Sequence, residues 1–266
     1  MRVEISMGKT IRENADSYYE LAKKARKKLA GLGKGEQELR KKILAGKASA
    51  TEKKVAHARK REKKWFEKFH WFFTSEGFLV IGGRDAKSNE VVVKKNAEKN
   101  DVYFHADIHG APHVVLKTAG KKPGEKSLAE SAVFAAVFSK AWDSQLAAVD
   151  VYSASPEQVS KSAPSGESIG TGAFMVYGER KWFRKTPLKF AVGAKKGADS
   201  FGLISGPLDA VKANSDFFVE IVFGALSKGD AGKMLKKRFE ARFGVSVSLD
   251  EIVSLLPNGT MRLATP

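Results

Sequence analysis

Short apolar runs cut by turn signals dominate the middle of the chain. Trp71-Phe72-Phe73, Phe78-Leu79-Val80-Ile81, Val91-Val92-Val93, Val102-Tyr103-Phe104 and His113-Val114-Val115-Leu116 have the length of strands. Glu76-Gly77, Gly82-Gly83, Asn100-Asp101 and Gly110-Ala111-Pro112 separate them as in a meander. The period then changes. Leu128, Ala132, Val133, Ala136, Val137, Lys140 and Trp142 follow helical spacing. Residues 147–152, 174–177, 188–192 and 217–222 read as further strands. Residues 230–243 read as a basic amphipathic helix with Met234, Leu235 and Phe239 inward, and 249–256 as a last short helix. Several consecutive strands followed by a helix predict an α+β fold, mostly antiparallel sheet with packed helices.

The first quarter has another rhythm. Ile11, Ala15, Tyr18, Ala22, Ala25, Leu29 and Leu32 are spaced alternately by four and three, the seam of a coiled coil. Gly31-Leu32-Gly33-Lys34-Gly35 stops that helix, because glycine supplies the left-handed conformation a helix end needs. A second polar helix follows from Glu36, is interrupted near Gly46, and can restart at a Ser49-Ala50-Thr51-Glu52 capping box. The expected organisation is an antiparallel coiled-coil hairpin over 1–66, with helices of about 30 Å. A sheet-rich domain over 67–185 and an α+β extension over 186–266 packed on it complete the chain.

Charge sharpens the contrast. The 266 residues carry 47 Lys and Arg against 30 Asp and Glu, a net +17, and +12 of it falls within residues 1–68. A basic arm joined to a nearly balanced globular part points to a polyanionic partner, nucleic acid first. Lys23, Lys24, Lys27 and Lys28 on the first helix are the candidate contacts to that polyanion. With no cysteine, thiolate metal sites, disulfides and a Cys nucleophile are excluded. Neither a signal-peptide core nor a run of 18 apolar residues occurs, so a cytoplasmic protein without membrane association is expected.

From Trp65 the residues become specific. Trp65-Phe66-Glu67-Lys68-Phe69-His70-Trp71-Phe72, Phe78-Leu79-Val80-Ile81-Gly82-Gly83-Arg84-Asp85 and Val102-Tyr103-Phe104-His105-Ala106-Asp107-Ile108-His109-Gly110-Ala111 resemble the NFACT-R domain. Gln158-Val159-Ser160-Lys161, Ala163-Pro164-Ser165-Gly166-Glu167 and Gly170-Thr171-Gly172-Ala173-Phe174-Met175 extend the match. This domain occupies the carboxyl half of the nuclear export mediator factor family, also labelled fibronectin-binding proteins. Ile11-Arg12-Glu13-Asn14-Ala15 resembles the start of the family's coiled coil, and Leu256-Pro257-Asn258-Gly259 the tail of archaeal members. The resemblance implies ribosome-associated quality control, with the large ribosomal subunit and tRNA as partners on obstructed nascent-chain complexes. Relative to that pattern the chain starts after an amino-terminal domain, as a standalone short member or a fragment. A separate protein supplying that half is a candidate partner, and tail elongation by this chain alone is not expected.

Candidate site residues follow from chemistry as well as resemblance. Gly82-Gly83-Arg84-Asp85, read as a turn between two strands, offers a forked guanidinium for phosphate, or Asp85 and Asn89 simply cap the turn. His105, Asp107 and His109 alternate and would share one strand face, with His113 four further on. That set can ligate a metal, face RNA or fix turns. Ser160, Lys161, Gly166 and Thr171 lie in a Gly/Ser-rich stretch whose amides could cradle phosphate, and Lys94, Lys95 and Lys117 would extend a phosphate track. Phe72, Phe104 and Trp142 are read as core. A non-catalytic RNA-binding protein is therefore expected, with no metal or other cofactor. The rivals are a tRNA-modification enzyme using His105, Asp107 and His109, and a protein-interaction module built on the coiled coil.

Overall fold

The computed structural model describes residues 6, 8, 10–26, 28–29, 64–162, 169–197 and 201–264. The chain divides into two units, Met1–Lys54 and Val55–Pro266. In the first, helix α1 spans residues 11–26. It starts at a capping box, with Glu13 N donating to Thr10 Oγ1 at 3.3 Å and Thr10 N to Glu13 Oε2 at 2.8 Å. Ile11, Tyr18 and Leu29 on the expected seam are exposed. The second helix of the expected hairpin, and Lys27, lie outside the described residues.

The second unit is α+β. A 3₁₀ turn, Trp65–Lys68, precedes strands β1 (His70–Phe73) and β2 (Leu79–Gly82). Then come helix α2 (Ala86–Asn96), β3 (Val102–Ala106), β4 (Val114–Lys117), α3 (Glu125–Val137), α4 (Lys140–Asp143) and β5 (Ala148–Ala154). A short pair, β6 (Val159–Ser160) and β7 (Met175–Val176), leads to β8 (Lys181–Pro187). The order β1-β2-β4-β3-β5-β8 makes one six-stranded sheet, antiparallel throughout. Strands β9 (Phe190–Lys196), β10 (Phe201–Pro207), β11 (Phe217–Leu226) and β12 (Met261–Leu263) form a second antiparallel sheet ordered β10-β9-β11-β12. Helices α5 (Leu208–Asn214), α6 (Lys228–Phe243) and α7 (Leu249–Leu255) accompany it.

Strand alternation sorts the six-stranded sheet into two packed faces. Ile81, Val115 and Tyr103 stand in register beneath α2, which buries Val92 there. Val80 and Leu116, Val114 and Phe104 face the other way onto α3. Helix α3 packs on β3, β5 and β8 and also meets β10, so it is buried nearly all round. One apolar cluster therefore runs from the first sheet through α3 to the second sheet, α6 and α7. Phe72, Phe104 and Trp142 all lie in it, as expected of core residues. Each such side chain contributes about 2–3 kcal/mol by leaving water.

Three local expectations are corrected. Val91-Val92-Val93 is helical, because Asp85 Oδ1 accepts from Ser88 N at 2.7 Å and caps α2, and Val92 then packs inward. The Gly82-Gly83-Arg84-Asp85 turn thus precedes a helix, not a strand. Met234 is outside α6's buried stripe of Ala231, Leu235 and Phe239, which already fills the inward positions four apart. The helix expected to reach Trp142 ends at Val137, and Ser139 Oγ accepts from Ala141 N at 3.1 Å to start α4. No helix among the described residues is long and apolar enough to cross a membrane.

Candidate nucleic-acid interface

Tight turns gather distant segments at one end of the six-stranded sheet. Gly83 N donates to His113 O at 3.1 Å, and His113 N donates back to Asn89 Oδ1 at the same distance. This approach requires glycine, because a Cβ on Gly83 would collide with the Asn89 side chain. Gly172 works the same way at φ +80°, its missing Cβ leaving room for Ala86 Cα at what would be 2.5 Å. The loop before β7 is thereby seated on the start of α2. Between these segments opens a cleft of about 520 Å³. Its walls are the β2–α2 turn, the loop from β3 to β4, the end of α3, residues 171–174, and Leu256 and Asn258 after α7.

Arg84, Asp85, Asn89, His105, His109, His113 and Thr171 all line this cleft, so expectations drawn from three separate segments converge. Their chemistry differs from residue to residue. Asp85 is the α2 cap, and its hydrogen bonds from Ser88 hold its carboxyl below the usual range. Arg84 Nη2 donates to Phe69 O at 2.9 Å, which fixes the guanidinium at the cleft wall while leaving it exposed.

His113 is an internal strut. Its Nε2 faces Gly172 O at 2.9 Å and must carry the proton, so Nδ1 accepts from the Tyr103 hydroxyl at 2.6 Å. Both ring nitrogens are occupied. Burial, then the neighbouring His105, pushes His113 down to about 3. Burial likewise lowers His105 to about 4, against hydrogen bonds and the Asp107 charge that favour its protonation. His105 packs tilted against His113 and Tyr152, with ring centroids 4.9 and 5.8 Å apart.

The shared strand face expected for His105, Asp107 and His109 is corrected. Strand β3 ends at Ala106, Ile108 N turns back to Ala106 O at 2.8 Å, and the alternation stops there. Among the described residues no three His, Cys, Asp or Glu side chains converge closely enough to hold a metal ion.

The remaining candidates sit elsewhere. Lys161 pairs with Glu90 at 2.6 Å and donates to Gly170 O at 2.8 Å, clamping the 169–174 loop to α2. With Lys94 and Ser160 it lines a neighbouring hollow of about 430 Å³. Lys95 is exposed on α2. Lys117 is largely buried, and its ammonium donates to Asp101, Glu98 and Asn96 O, so its three protons are taken. Gly166 lies outside the described residues.

Sequence reasoning did not single out His70, Lys228 or Asn258. His70 lines the cleft with its ring stacked on Phe138, centroids 4.0 Å apart. Burial, then the charges of Arg84 and Lys228, lowers it to about 3. His70 stood inside a quoted motif, whereas Lys228 belongs to no motif.

Comparison with known proteins adds a family. Residues 68–178 match the family model described as NFACT protein RNA binding domain. The archaeal Rqc2 homolog aRqcH of Methanocaldococcus jannaschii is 39% identical over 200 residues, covering 75% of this chain and 29% of that protein. The ribosome quality control complex subunit NEMF of Homo sapiens is 39% identical over 177 residues, 64% of this chain and 16% of that protein. Its Drosophila melanogaster homolog is 35% identical over 188 residues, 68% of this chain and 18% of that protein. The chain thus spans less than a third of the length of these curated relatives. A solved structure of the carboxyl-terminal part of the fibronectin/fibrinogen-binding protein from Streptococcus suis covers 69% of this chain and 77% of that one, at 20% identity and a TM-score of 0.38.

Proposed function

The chain is an NFACT-R domain protein, and on that premise we propose that it binds RNA in ribosome-associated quality control, without catalysis of its own. The partners in this reading are the large ribosomal subunit and tRNA on obstructed nascent-chain complexes. The observation that carries it is the convergence of the matched segments on one cleft, with Arg84 exposed on its wall. The names of the relatives, which speak of ribosome quality control, support the same reading. Lys23, Lys24, Lys27 and Lys28, in a segment carrying most of the net charge, would supply the second contact. Arg84, Asn89, His105, His109 and Thr171 are the cleft residues proposed to face RNA, with Lys94 and Lys95 beside them. A reaction run by His105, Asp107 and His109 loses its support, because their shared face ends with β3.

Energetically the binding is mostly phosphate neutralisation. Five phosphate contacts to a single strand give a slope near −3.5 in log K against log salt. The test is a titration of large ribosomal subunits and of total tRNA, separately, at low and moderate salt. Submicromolar, salt-sensitive subunit binding, weakened by charge reversal of Lys23, Lys24, Lys27 and Lys28, is expected. Subunit binding that ignores the reversal removes the arm from the reading. Absence of binding to either RNA refutes it for this chain.

A further inference from the structure

Arg84 lines the cleft and Lys228 is tied to its lining through Asn258, and neither meets a carboxylate at ion-pair distance among the described residues. Arg84 is held at the wall by its bond to Phe69 O. Lys228 is the first residue of α6, in the half of the unit built around the second sheet. Its Nζ donates at 3.3 Å to Oδ1 of Asn258, itself a cleft-lining side chain. Neither Arg84 nor Lys228 makes an ion pair among the described residues. Three other cations proposed or placed near the sheet differ in this respect: Lys161 has Glu90 at 2.6 Å, Lys117 has Asp101 at 2.5 Å and Arg184 has Asp150 at 2.7 Å.

The two charges sense each other and both act on His70. Burial lowers the pKa of Arg84 and of Lys228, and the Arg84 charge lowers Lys228 further. A partly desolvated pair of like charges is unfavourable until an anion joins it. Beside the pair, His70 and Phe138 are half-buried and already stacked at an interplanar angle of 26°. An imidazole kept neutral adds no third charge and offers a flat face. The volume of the cleft suits a small ligand, and its lining mixes these rings with polar groups.

We propose that Arg84 and Lys228 jointly bind the phosphate group of a nucleotide in this cleft, with the His70–Phe138 ring pair against the attached nucleoside. In the RNA-binding reading, on which this assignment rests, the phosphate belongs to a single-stranded segment. The carboxyl-terminal half of the unit thereby supplies part of the binding site, although Lys228 lies outside the matched residues 68–178.

The full chain is tested with three probes: uridine, uridine 5′-monophosphate and a fluorescein-labelled oligouridylate decamer. The His70 ring resonances, assigned with His70→Gln, report on the cleft, and anisotropy reports decamer affinity. The monophosphate should move the His70 signals where uridine does not, and Lys228→Ala should abolish that shift while Lys228→Arg retains it. Loss of one phosphate contact should flatten the decamer's salt slope by about 0.7 and weaken binding roughly eightfold near 0.05 M salt. Arg84→Lys, which keeps the charge but not the fork, serves as the second variant. A His70 shift that depends on Lys228, without decamer binding, would support the phosphate pair with a free nucleotide as its ligand and refute the RNA reading. Lys228→Ala that leaves both the monophosphate shift and the decamer slope unchanged overturns the assignment, even if the decamer binds tightly elsewhere.

Discussion

Acidification should unfold this protein through histidines that its fold keeps neutral, well before its carboxylates matter. Burial is the main cause that holds His70 and His113 at about 3 and His105 at about 4, against about 6.5 in an unfolded chain. Each native ring therefore binds fewer protons than its unfolded counterpart between those values. The stability they confer is complete above pH 6.5 and is lost as pH falls towards the folded values. At pH 5 each ring has cost about 2 kcal/mol relative to pH 7, about 6 kcal/mol for the three. That is comparable to the whole stability of a typical domain, about 5–15 kcal/mol. Carboxylates held low by hydrogen bonds, such as Glu76, Asp85 and Asp150, begin to contribute only nearer their unfolded values, which lie below pH 5. The window from pH 7 to 5 thus isolates the histidines. Urea unfolding followed by tryptophan fluorescence at pH 7, 6 and 5, at constant ionic strength, measures the effect. His70→Phe, which can keep a ring against Phe138, should remove about a third of the pH dependence. A free energy flat to within 1 kcal/mol across this window, or native ring resonances titrating near 6.5, would refute the reasoning.

Two further outcomes follow from contacts beneath the cleft and across the sheet. Asp101 is buried, accepts from Thr118 N at 2.9 Å and from Glu98 N at 2.8 Å, and neutralises Lys117. Asp101→Asn should cost about 3–5 kcal/mol by thermal melting, since a largely buried ammonium loses its counter-charge, and should leave the salt slope of RNA binding unchanged. Gly172→Ala, at φ +80° and against Ala86, should cost about 1–2 kcal/mol from backbone strain alone. It should also lift the loop off His113, read as a changed His113 ring resonance in the folded protein.

The antiparallel α+β character was legible because β1, β2, β3 and β4 are short apolar runs separated by glycine and Asn-Asp turns. Where the reading went astray, a local preference lost to a boundary signal or a position in the sheet. Three consecutive valines favour a strand, yet the Asp85–Ser88 cap starts a helix that buries only Val92. Strand β8 escaped notice because Lys181, Arg184 and Lys185 make it read as a loop. It lies at the edge of the six-stranded sheet, where charged side chains are tolerated, and Arg184 stacks on Trp182 at 4.0 Å. Strand β10 contains Gly202 and Gly206, and the latter lets the backbone approach Phe72. Nothing local announces that approach.

The cleft was legible in the sequence only in part, since Lys94, Lys95, Asp107, Lys117, Ser160 and Lys161 lie outside it and His70 and Asn258 line it unannounced. Sequence spacing brought forward Arg84, Asn89, His105, His109, His113 and Thr171, and all of them meet in one cleft. A sequence does not record which cations already own a carboxylate. Lys161 and Lys117 look like phosphate binders in a basic chain, but any phosphate must compete there with Glu90 or Asp101 within 2.6 Å. Arg84 and Lys228 have no carboxylate at ion-pair distance among the described residues, so an incoming anion need not displace a paired partner from either. Lys228 is tied to the cleft-lining Asn258, and the second sheet packs through α3, contacts distant in sequence with no periodic signature. Among cations of equal formal charge, it is the pairing set by the fold that separates struts from cations still open to an anion.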